Sequence, residues 1–151
     1  MTARLQTNHG QNLYHQDYFQ WLNTTVEYLK QKEFTRLDLE NLIEEIESLS
    51  RSERRAIKSN LIVVVFHLLK WRYQPEKRSN SWKSSIREHR RRIQDLLADS
   101  PSLKNYLSEI FTSCYIAAKK QASDETGLSI FAFPTECPYS LTDCLNEDFL
   151  A

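Results

Sequence analysis

Three glutamates and two histidines are the residues of this chain best suited to metal chemistry. Glu40, Glu44 and Glu47 are spaced four and three residues apart, so a helix would carry them on one side. His67 lies within the longest apolar run, and His89 follows in a later amphipathic segment. Helical bundles build two-metal sites from carboxylates and imidazoles that converge from facing helices. A metal-binding bundle with hydrolase activity, using Glu40, Glu44, Glu47 and His67, is therefore one hypothesis.

The same residues also have an interpretation that needs no metal. The Glu-x-x-His pairs of di-metal bundles are absent, and neither histidine has a carboxylate three or four residues away. A row of glutamates is usually solvated or paired with cations. We therefore expect the glutamates to pair with arginines and His67 to hydrogen-bond a neighbouring side chain. On this interpretation the protein has no cofactor.

The most basic part of the chain, residues 51–92, suggests nucleic-acid binding. It contains 13 Lys and Arg against three Glu, whereas residues 1–50 contain four Lys and Arg against eight Asp and Glu. Cationic side chains contact phosphates, and exposed aromatic rings stack on bases. The residues that this hypothesis assigns to nucleic acid are Arg72, Lys77, Arg78, Lys83, Arg87, Arg90 and Arg91.

An alternative use of the same charge is packing of basic helices against acidic ones inside one domain. Trp82 is in helical phase with Ile86 and Ile93, which places it in the core rather than on a stacking platform. The apolar run of residues 61–69 is shorter than the ~20 residues that a bilayer needs. The first ten residues lack the apolar stretch of a secretory signal. We predict a cytoplasmic protein with no membrane partner.

The sequence contains no recognisable catalytic motif. Its three cysteines, Cys114, Cys137 and Cys144, form no C-x-x-C pair, so neither a disulfide framework nor a four-ligand zinc site is indicated. Cys137, which precedes Pro138, is expected to be a buried or half-buried thiol. Two isolated glycines cannot make a phosphate-binding loop. A non-enzymatic protein is therefore favoured over an enzyme.

Helices are expected to hold all of these residues. Two glycines and four prolines in 151 residues are too few for the turns of an all-β fold. Apolar spacing and capping residues such as the Ser50-x-x-Glu53 pattern set the helix boundaries. The predicted helices are residues 16–30, 39–48, 50–73, about 80–97 and 101–126, followed by a short helix at 141–145.

These elements predict an all-α, single-domain bundle of about five main helices, because 151 residues suffice for one core. Residues 13–151 form the domain, and residues 1–12 are a disordered or loosely packed tail. The helix at 50–73 is central, and the C-terminal segment, which contains Pro and Phe, packs across one end. The predicted core contains Leu42, Ile46, Leu61, Val65, Leu68, Ile86, Ile93, Leu107 and Ile110.

Several ordered blocks of the sequence resemble one family. They are residues 37–49, 67–71, 74–76, 81–82, 86–87, 99–103, 125–128 and 133–140. On these blocks the chain resembles the domain-of-unknown-function family 29, small proteins found largely in cyanobacteria, from about Tyr14 to Phe149. The resemblance implies an all-helical protein. It supplies no activity, so no catalytic residue is carried over.

The resulting prediction is a non-enzymatic protein-interaction or assembly module that binds an unknown protein partner or associates with itself. Its aromatic residues exceed what one small core needs, its net charge is zero, and it has no catalytic motif. Nucleic-acid binding by residues 72–92 is the first alternative, and the metal-binding bundle is the second.

Overall fold

The computed structural model describes residues 13–151, and every regular element among them is helical. The all-α prediction is therefore confirmed. Five helices of five residues or more are α1 (Tyr18–Lys30), α2 (Leu39–Tyr73), α3 (Asn80–Asp99), α4 (Leu103–Thr126) and α5 (Leu141–Leu145). Residues 13–16 are also helical. Single 3-10 turns lie at Phe34–Arg36, Pro75–Lys77 and Ile130–Ala132. The predicted tail at residues 1–12 lies outside the described residues.

Two predicted helices are one continuous helix in the structure. α2 runs for 35 residues without a break at Ser48 or Ser50. The predicted cap formed by Ser50 and Glu53 is wrong, because both residues lie inside α2, where backbone N–H groups bond to carbonyls four residues earlier. Neither Gly nor Pro occurs from residue 39 to residue 74, so nothing in the local sequence ends the helix before Pro75.

The chain divides between Arg51 and Ser52 into two compact units. The described part of the first unit is a helical hairpin made of α1 and the beginning of α2. Trp21 is buried there, with its ring edge-on to Tyr14 at 4.8 Å. Glu45 accepts hydrogen bonds from the hydroxyls of Tyr14 at 2.5 Å and Tyr18 at 2.7 Å. These two bonds fasten the returning helix to the start of α1.

Side-chain caps start both helices of the hairpin, and a residue in the left-handed conformation lies in the connection between them. Asp17 accepts a hydrogen bond from the backbone N–H of Gln20 at the start of α1. Asp38 accepts one from the N–H of Asn41 at 3.3 Å, which confirms its predicted capping role at α2. Between the helices, Lys32 adopts a left-handed conformation with φ of 60°. The connection therefore reverses the chain within eight residues.

The second unit buries its apolar residues in one core. α2, α3 and α4 contribute Ile57, Leu61, Val64, Val65, Phe66, Leu68, Leu69, Ile86, Ile93, Leu103, Leu107, Cys114, Tyr115, Ala118 and Ala122. The predicted core residues found buried are Leu61, Val65, Leu68, Ile86, Ile93 and Leu107. Ile110 is half-buried at the margin of this core.

Two predicted core residues belong to the first unit and are not in a core. Leu42 is half-buried, and Ile46 is 59% exposed. Including Ile46 in the core was wrong, because helical periodicity identifies an apolar side without identifying what packs against it. Within the described hairpin, α1 is the one helix that accompanies this part of α2.

The C-terminal segment packs on the core of the second unit, as predicted. α4 ends at Gly127, which has φ of 75° in the left-handed conformation that favours glycine. Beyond it, Phe133 and Tyr139 are buried, and the Tyr139 hydroxyl donates to the Leu68 carbonyl at 3.2 Å. The Tyr115 hydroxyl donates to the carbonyl of Pro134. Buried rings and hydrogen bonds thus hold the segment on α2 and α4.

Candidate interaction surface

Ten large apolar side chains of the first unit are exposed, with exposed fractions from 37% at Leu22 to 75% at Phe19. They lie on α1, on the connection and on the first part of α2. We call this set the hairpin apolar surface. Its members are Tyr18, Phe19, Leu22, Val26, Leu29, Phe34, Leu39, Ile43, Ile46 and Leu49.

Helical spacing gathers these side chains into one stripe on each helix. In α1, Leu22, Val26 and Leu29 follow Tyr18 at intervals of three or four residues. In α2, Ile43 and Ile46 follow Leu39 in the same way, and Leu49 continues the series. Residues three and four apart share a side of a helix. The hairpin therefore carries two half-covered apolar stripes rather than scattered exposed residues.

The hairpin apolar surface is large for a chain of this size. With exposed fractions near one half and roughly 150–200 Å² on each such side chain, it presents on the order of 1,000 Å². A stable interface removes about 800 Å² from each partner. The surface therefore has the dimensions of one half of a protein–protein interface.

The glutamates proposed as metal ligands lie on this same hairpin. Glu40, Glu44 and Glu47 are exposed, and Glu44 pairs with Arg51 at 2.6 Å, which confirms arginine pairing for that residue. His67 lies in the second unit. Among residues 13–151, no group of three or more His, Cys, Asp and Glu side chains is placed to hold a metal ion.

Glu45 is the glutamate with a structural role, and the sequence pattern did not identify it. The hydrogen bond from Tyr14, followed by that from Tyr18, lowers the pKa of Glu45. The same contact raises the pKa of Tyr14 to about 12. Both tyrosines thus stay protonated as donors, and Glu45 stays ionised as their acceptor. The hairpin is closed by charge-assisted hydrogen bonds.

The sequence predicts a hydrogen bond from His67 to a neighbouring side chain. Its Nδ1 atom is buried without a partner in the described part of the chain. Burial, and secondarily the charge of Lys70, lowers the pKa of His67 to about 4. His89 differs, because its Nδ1 lies 2.7 Å from Oδ1 of Asn60. His67 is therefore a neutral, incompletely bonded imidazole at neutral pH.

Lys70 is a buried cation that the sequence analysis did not single out. It is 5% exposed, and its Nζ atom lies 3.0 Å from Glu125. The same ammonium lies 4.3 Å from the ring centre of Trp82 and 4.9 Å from that of Phe66. Trp82 is half-buried and holds Lys70 through a cation–π contact. One face of this ring is therefore occupied within the protein.

Arg90, assigned above to nucleic acid, is buried instead. It is 2% exposed, and its Nε donates to the carbonyl of Cys144 at 2.7 Å. Its terminal nitrogens donate to the carbonyls of Asp143 at 3.3 Å and Glu147 at 3.5 Å. These carbonyls lie at and just beyond the end of α5, where helix carbonyls lack partners within the helix. Including Arg90 among the nucleic-acid contacts was therefore wrong, because a buried guanidinium cannot reach a phosphate.

Most of the remaining basic candidates also contact this chain. Arg91 pairs with Glu88 at 2.8 Å and with Asp95 at 2.7 Å, and hydrogen bonds from Arg91 and Arg92 lower the pKa of Glu88 to about 2. The Nε of Arg78 donates to the Trp71 carbonyl at 2.8 Å. Cation–π contacts join Arg72 to Tyr73 at 5.7 Å and to Tyr139 at 6.0 Å, and join Arg78 and Lys83 to Trp71 at 5.0 and 5.7 Å. Lys77 and Arg87 are exposed.

A protein-family model described as a domain of unknown function, DUF29, matches residues 13–150. The chain belongs to the DUF29 family. This confirms the resemblance carried by the sequence blocks, and the family description assigns no activity to its members. No curated protein and no solved structure shows significant similarity to this DUF29 chain. None of the described helices of the DUF29 domain is both long enough and apolar enough to cross a bilayer.

Two of the structural roles in this DUF29 chain had a weak signal in the sequence. Lys70 stands in phase with apolar residues of α2, and Arg90 lies four residues after Ile86 and three before Ile93. A cation in phase with a buried stripe is a candidate for a buried partner contact. Neither position alone names the partner, because Glu125 and Cys144 lie more than fifty residues away along the chain.

Proposed function

We propose that this DUF29 protein is a non-enzymatic assembly module that associates with a second copy of itself through the hairpin apolar surface. The observation that carries the proposal is the row of ten exposed apolar side chains on one helical hairpin. In water each of these side chains loses the free energy that burial would provide, about 25 cal/mol per Å² of apolar surface. Contact with a second apolar surface recovers part of this free energy.

The size of the surface supports a second copy as the partner. About 1,000 Å² of apolar area on one chain matches the contribution of one subunit to a symmetric dimer. In a two-fold interface the same patch serves on both subunits, so one hairpin supplies both halves of the contact. Apolar helix pairs interlock through ridges and grooves without needing a complementary charge pattern.

The charge around the hairpin supports the same choice over other ligands. Residues 13–51 contain eight acidic and four basic side chains. The net negative charge of this segment repels nucleic acid and anionic lipid. The whole chain has a formal net charge of zero, so long-range repulsion between two copies is small. The remaining repulsion between two acidic hairpins is screened by salt. Self-association should therefore strengthen as salt rises, whereas docking of a basic partner would weaken.

Sedimentation velocity of the full chain over a range of concentrations tests the proposal. We expect a dimer that is favoured as sodium chloride rises from about 0.05 to about 0.5 M. Ile46→Lys and Phe19→Lys should shift the protein to monomer, because each places a charge on the apolar surface. Ile116→Lys is the matched control, because Ile116 is 57% exposed against 59% for Ile46 but lies in the second unit.

Three results would overturn self-association. One is a strict monomer at every concentration and salt. Another is a dimer that both hairpin substitutions leave intact. The third is a dimer lost equally in Ile116→Lys. Circular dichroism of each variant confirms that the helices are retained. A wild-type monomer that gains a basic protein partner only at low salt would point to a different occupant of the same surface.

A further inference from the structure

Three cations near the start of α3 have no acidic partner. Arg78, Lys83 and Arg87 are exposed, and among residues 13–151 no carboxylate lies within ion-pair distance of any of them. Lys70 and Arg91, by contrast, are paired with acids of the second unit. Three positive charges of this unit are therefore not paired with side chains of the described chain.

Trp71 gathers two of these cations into one cluster. The guanidinium carbon of Arg78 lies 5.0 Å from the centre of the Trp71 ring, and the ammonium of Lys83 lies 5.7 Å from it. The Nε of Arg78 also donates to the Trp71 carbonyl at 2.8 Å. Trp71 is half-buried, so part of its ring stays accessible to solvent. Both charges are thus held beside a partly exposed aromatic ring.

Arg87 extends the cluster along α3. It follows Lys83 by four residues, so the two side chains share one side of the helix and lie about one turn apart. Like charges at this spacing destabilise a helix. The neighbouring acid in the sequence, Glu88, is already engaged by Arg91 and Arg92. An anion from solution would relieve the repulsion between Lys83 and Arg87.

We propose that the second unit binds single-stranded nucleic acid at Trp71, Arg78, Lys83 and Arg87, which we call the Trp71 cluster. Lys83 and Arg87 contact neighbouring phosphates of the strand, and Arg78 contacts a further phosphate. A base stacks on the exposed part of the Trp71 ring. Cationic contacts to the backbone and stacking on aromatic side chains are the two contributions that hold single strands on proteins.

The aromatic ring favours a single strand over other polyanions. In a duplex the bases are stacked on each other, so they do not reach an aromatic side chain at a protein surface. A lipid surface or an inorganic polyphosphate offers phosphates but no base. Phosphate contacts and stacking carry little sequence information, so binding should not depend strongly on sequence.

The Trp71 cluster is smaller than the basic segment identified in the sequence. Of the seven basic residues assigned there to nucleic acid, Arg90 is buried and Arg91 is paired with acids, so neither belongs to this site. Trp71 is not among those seven, and it enters through its contacts with Arg78 and Lys83. The proposal goes beyond self-association, because the hairpin apolar surface contains none of these residues.

Fluorescence anisotropy tests the proposal, with a labelled oligothymidine of about 12 nucleotides titrated with the full chain. We expect binding at about 0.05 M sodium chloride that weakens as salt rises. For three phosphate contacts the slope of log K against log salt should be about −2. The dimer is expected to strengthen with salt, so the two interactions are distinguished. A duplex of the same length, inorganic polyphosphate and anionic lipid vesicles should each bind at least about tenfold more weakly, because they offer no accessible base.

Two double substitutions with the same loss of charge locate the site. Lys83→Gln/Arg87→Gln should weaken binding roughly fiftyfold at about 0.05 M salt and flatten the slope by about 1.4, because two phosphate contacts are lost. Lys104→Gln/Lys120→Gln is the matched control, at two exposed positions of α4. It should change the affinity by no more than about twofold, because charges away from the strand are screened.

Substitutions of Trp71 separate the ring from the charges. Trp71→Leu should weaken binding about fivefold or more and leave the slope unchanged, because a stacking contact is lost and the phosphate contacts remain. Trp71→Phe keeps an aromatic ring and should retain most of the affinity. Circular dichroism checks that each variant keeps its helices.

The proposal is overturned if the full chain does not bind the oligothymidine at low salt, or if both double variants lose affinity equally. It is also overturned if the duplex, polyphosphate or vesicles bind as tightly as the single strand, since that result would show only a general attraction of anions. The comparison of these ligands on the wild-type chain decides the matter even where a variant fails to fold.

Discussion

The two parts of α2 carry similar apolar stripes, but one stripe is buried and the other is exposed. In the second unit, Ile57, Leu61 and Leu68 are fully buried beneath α3, α4 and the C-terminal segment. In the first unit, Leu39, Ile46 and Leu49 are more than half exposed on the same helix. Helical periodicity is a local property, but burial depends on what else packs against the helix. The difference shows that a complete hydrophobic pattern can mark either a core or a docking surface.

The largest expected effect comes from a matched pair of substitutions on α2. Leu61→Ala should lower the free energy of unfolding by about 2–5 kcal/mol, because it leaves a cavity in a core where Leu61 is 0% exposed. Leu49→Ala, at a position 67% exposed, should change it by less than about 0.5 kcal/mol. Urea denaturation, at a protein concentration too low for dimers to form, measures both changes in the free energy of unfolding. Equal losses would show that the hairpin stripe is covered within the monomer.

The second pair of substitutions measures how much the buried hydrogen bonds of Arg90 contribute to stability. Arg90→Met should cost about 1–3 kcal/mol, because the buried carbonyl of Cys144 loses its donor. Arg91→Met is the control, and its exposed ion pairs should contribute no more than about 1 kcal/mol. Urea denaturation compares the two variants. A similar loss in both would mean that the buried guanidinium contributes no more than a surface pair.

The stability of the second unit should fall as the pH is lowered from about 6.5 to about 4. The folded pKa of His67 is about 4, below its ordinary value of 6.5, so the unfolded chain binds a proton that the folded chain excludes. The loss is at most roughly 3 kcal/mol, since each pKa unit corresponds to about 1.4 kcal/mol. Thermal unfolding across this range measures it.

His67→Phe separates this titration from the acid sensitivity of the carboxylates. In this variant the free energy of unfolding should change much less between about pH 6.5 and 4, because the imidazole that cannot bind a proton in the folded chain is gone. The pKa of His89 is also lowered by burial, so the variant should keep a smaller dependence of the free energy of unfolding on pH. An unchanged slope in His67→Phe would place the pH dependence on other groups.

The smallest effect is expected at the exposed basic residues of the second unit. Lys77→Ala/Arg87→Ala should change stability by less than about 0.5 kcal/mol, because both side chains are at the surface. Under the nucleic-acid hypothesis, the double variant should bind single-stranded DNA more weakly and with a shallower salt dependence. Fluorescence anisotropy at several salt concentrations measures this. Assembly through the hairpin predicts no loss of dimer in the same variant.

Much of the helical framework followed from the sequence. Asp38, Pro75 and Gly127 mark helix boundaries through local backbone chemistry, and the structure places boundaries at these positions. The error at Ser50 has a local origin as well. A serine followed three residues later by a glutamate fits a helix start, but it is equally compatible with a helix interior when no helix-breaking residue adjoins it.

The sequence by itself determined an all-helical chain, its family and the apolar stripes, because periodicity and helix-breaking residues act over a few positions. Only the tertiary structure decided that Ile46 is exposed and Arg90 buried. Arg90 reaches Cys144 across 54 residues, and Lys70 reaches Glu125 across 55. Such pairings depend on how helices pack, and side chains distant along the chain carry no local signal of their partner.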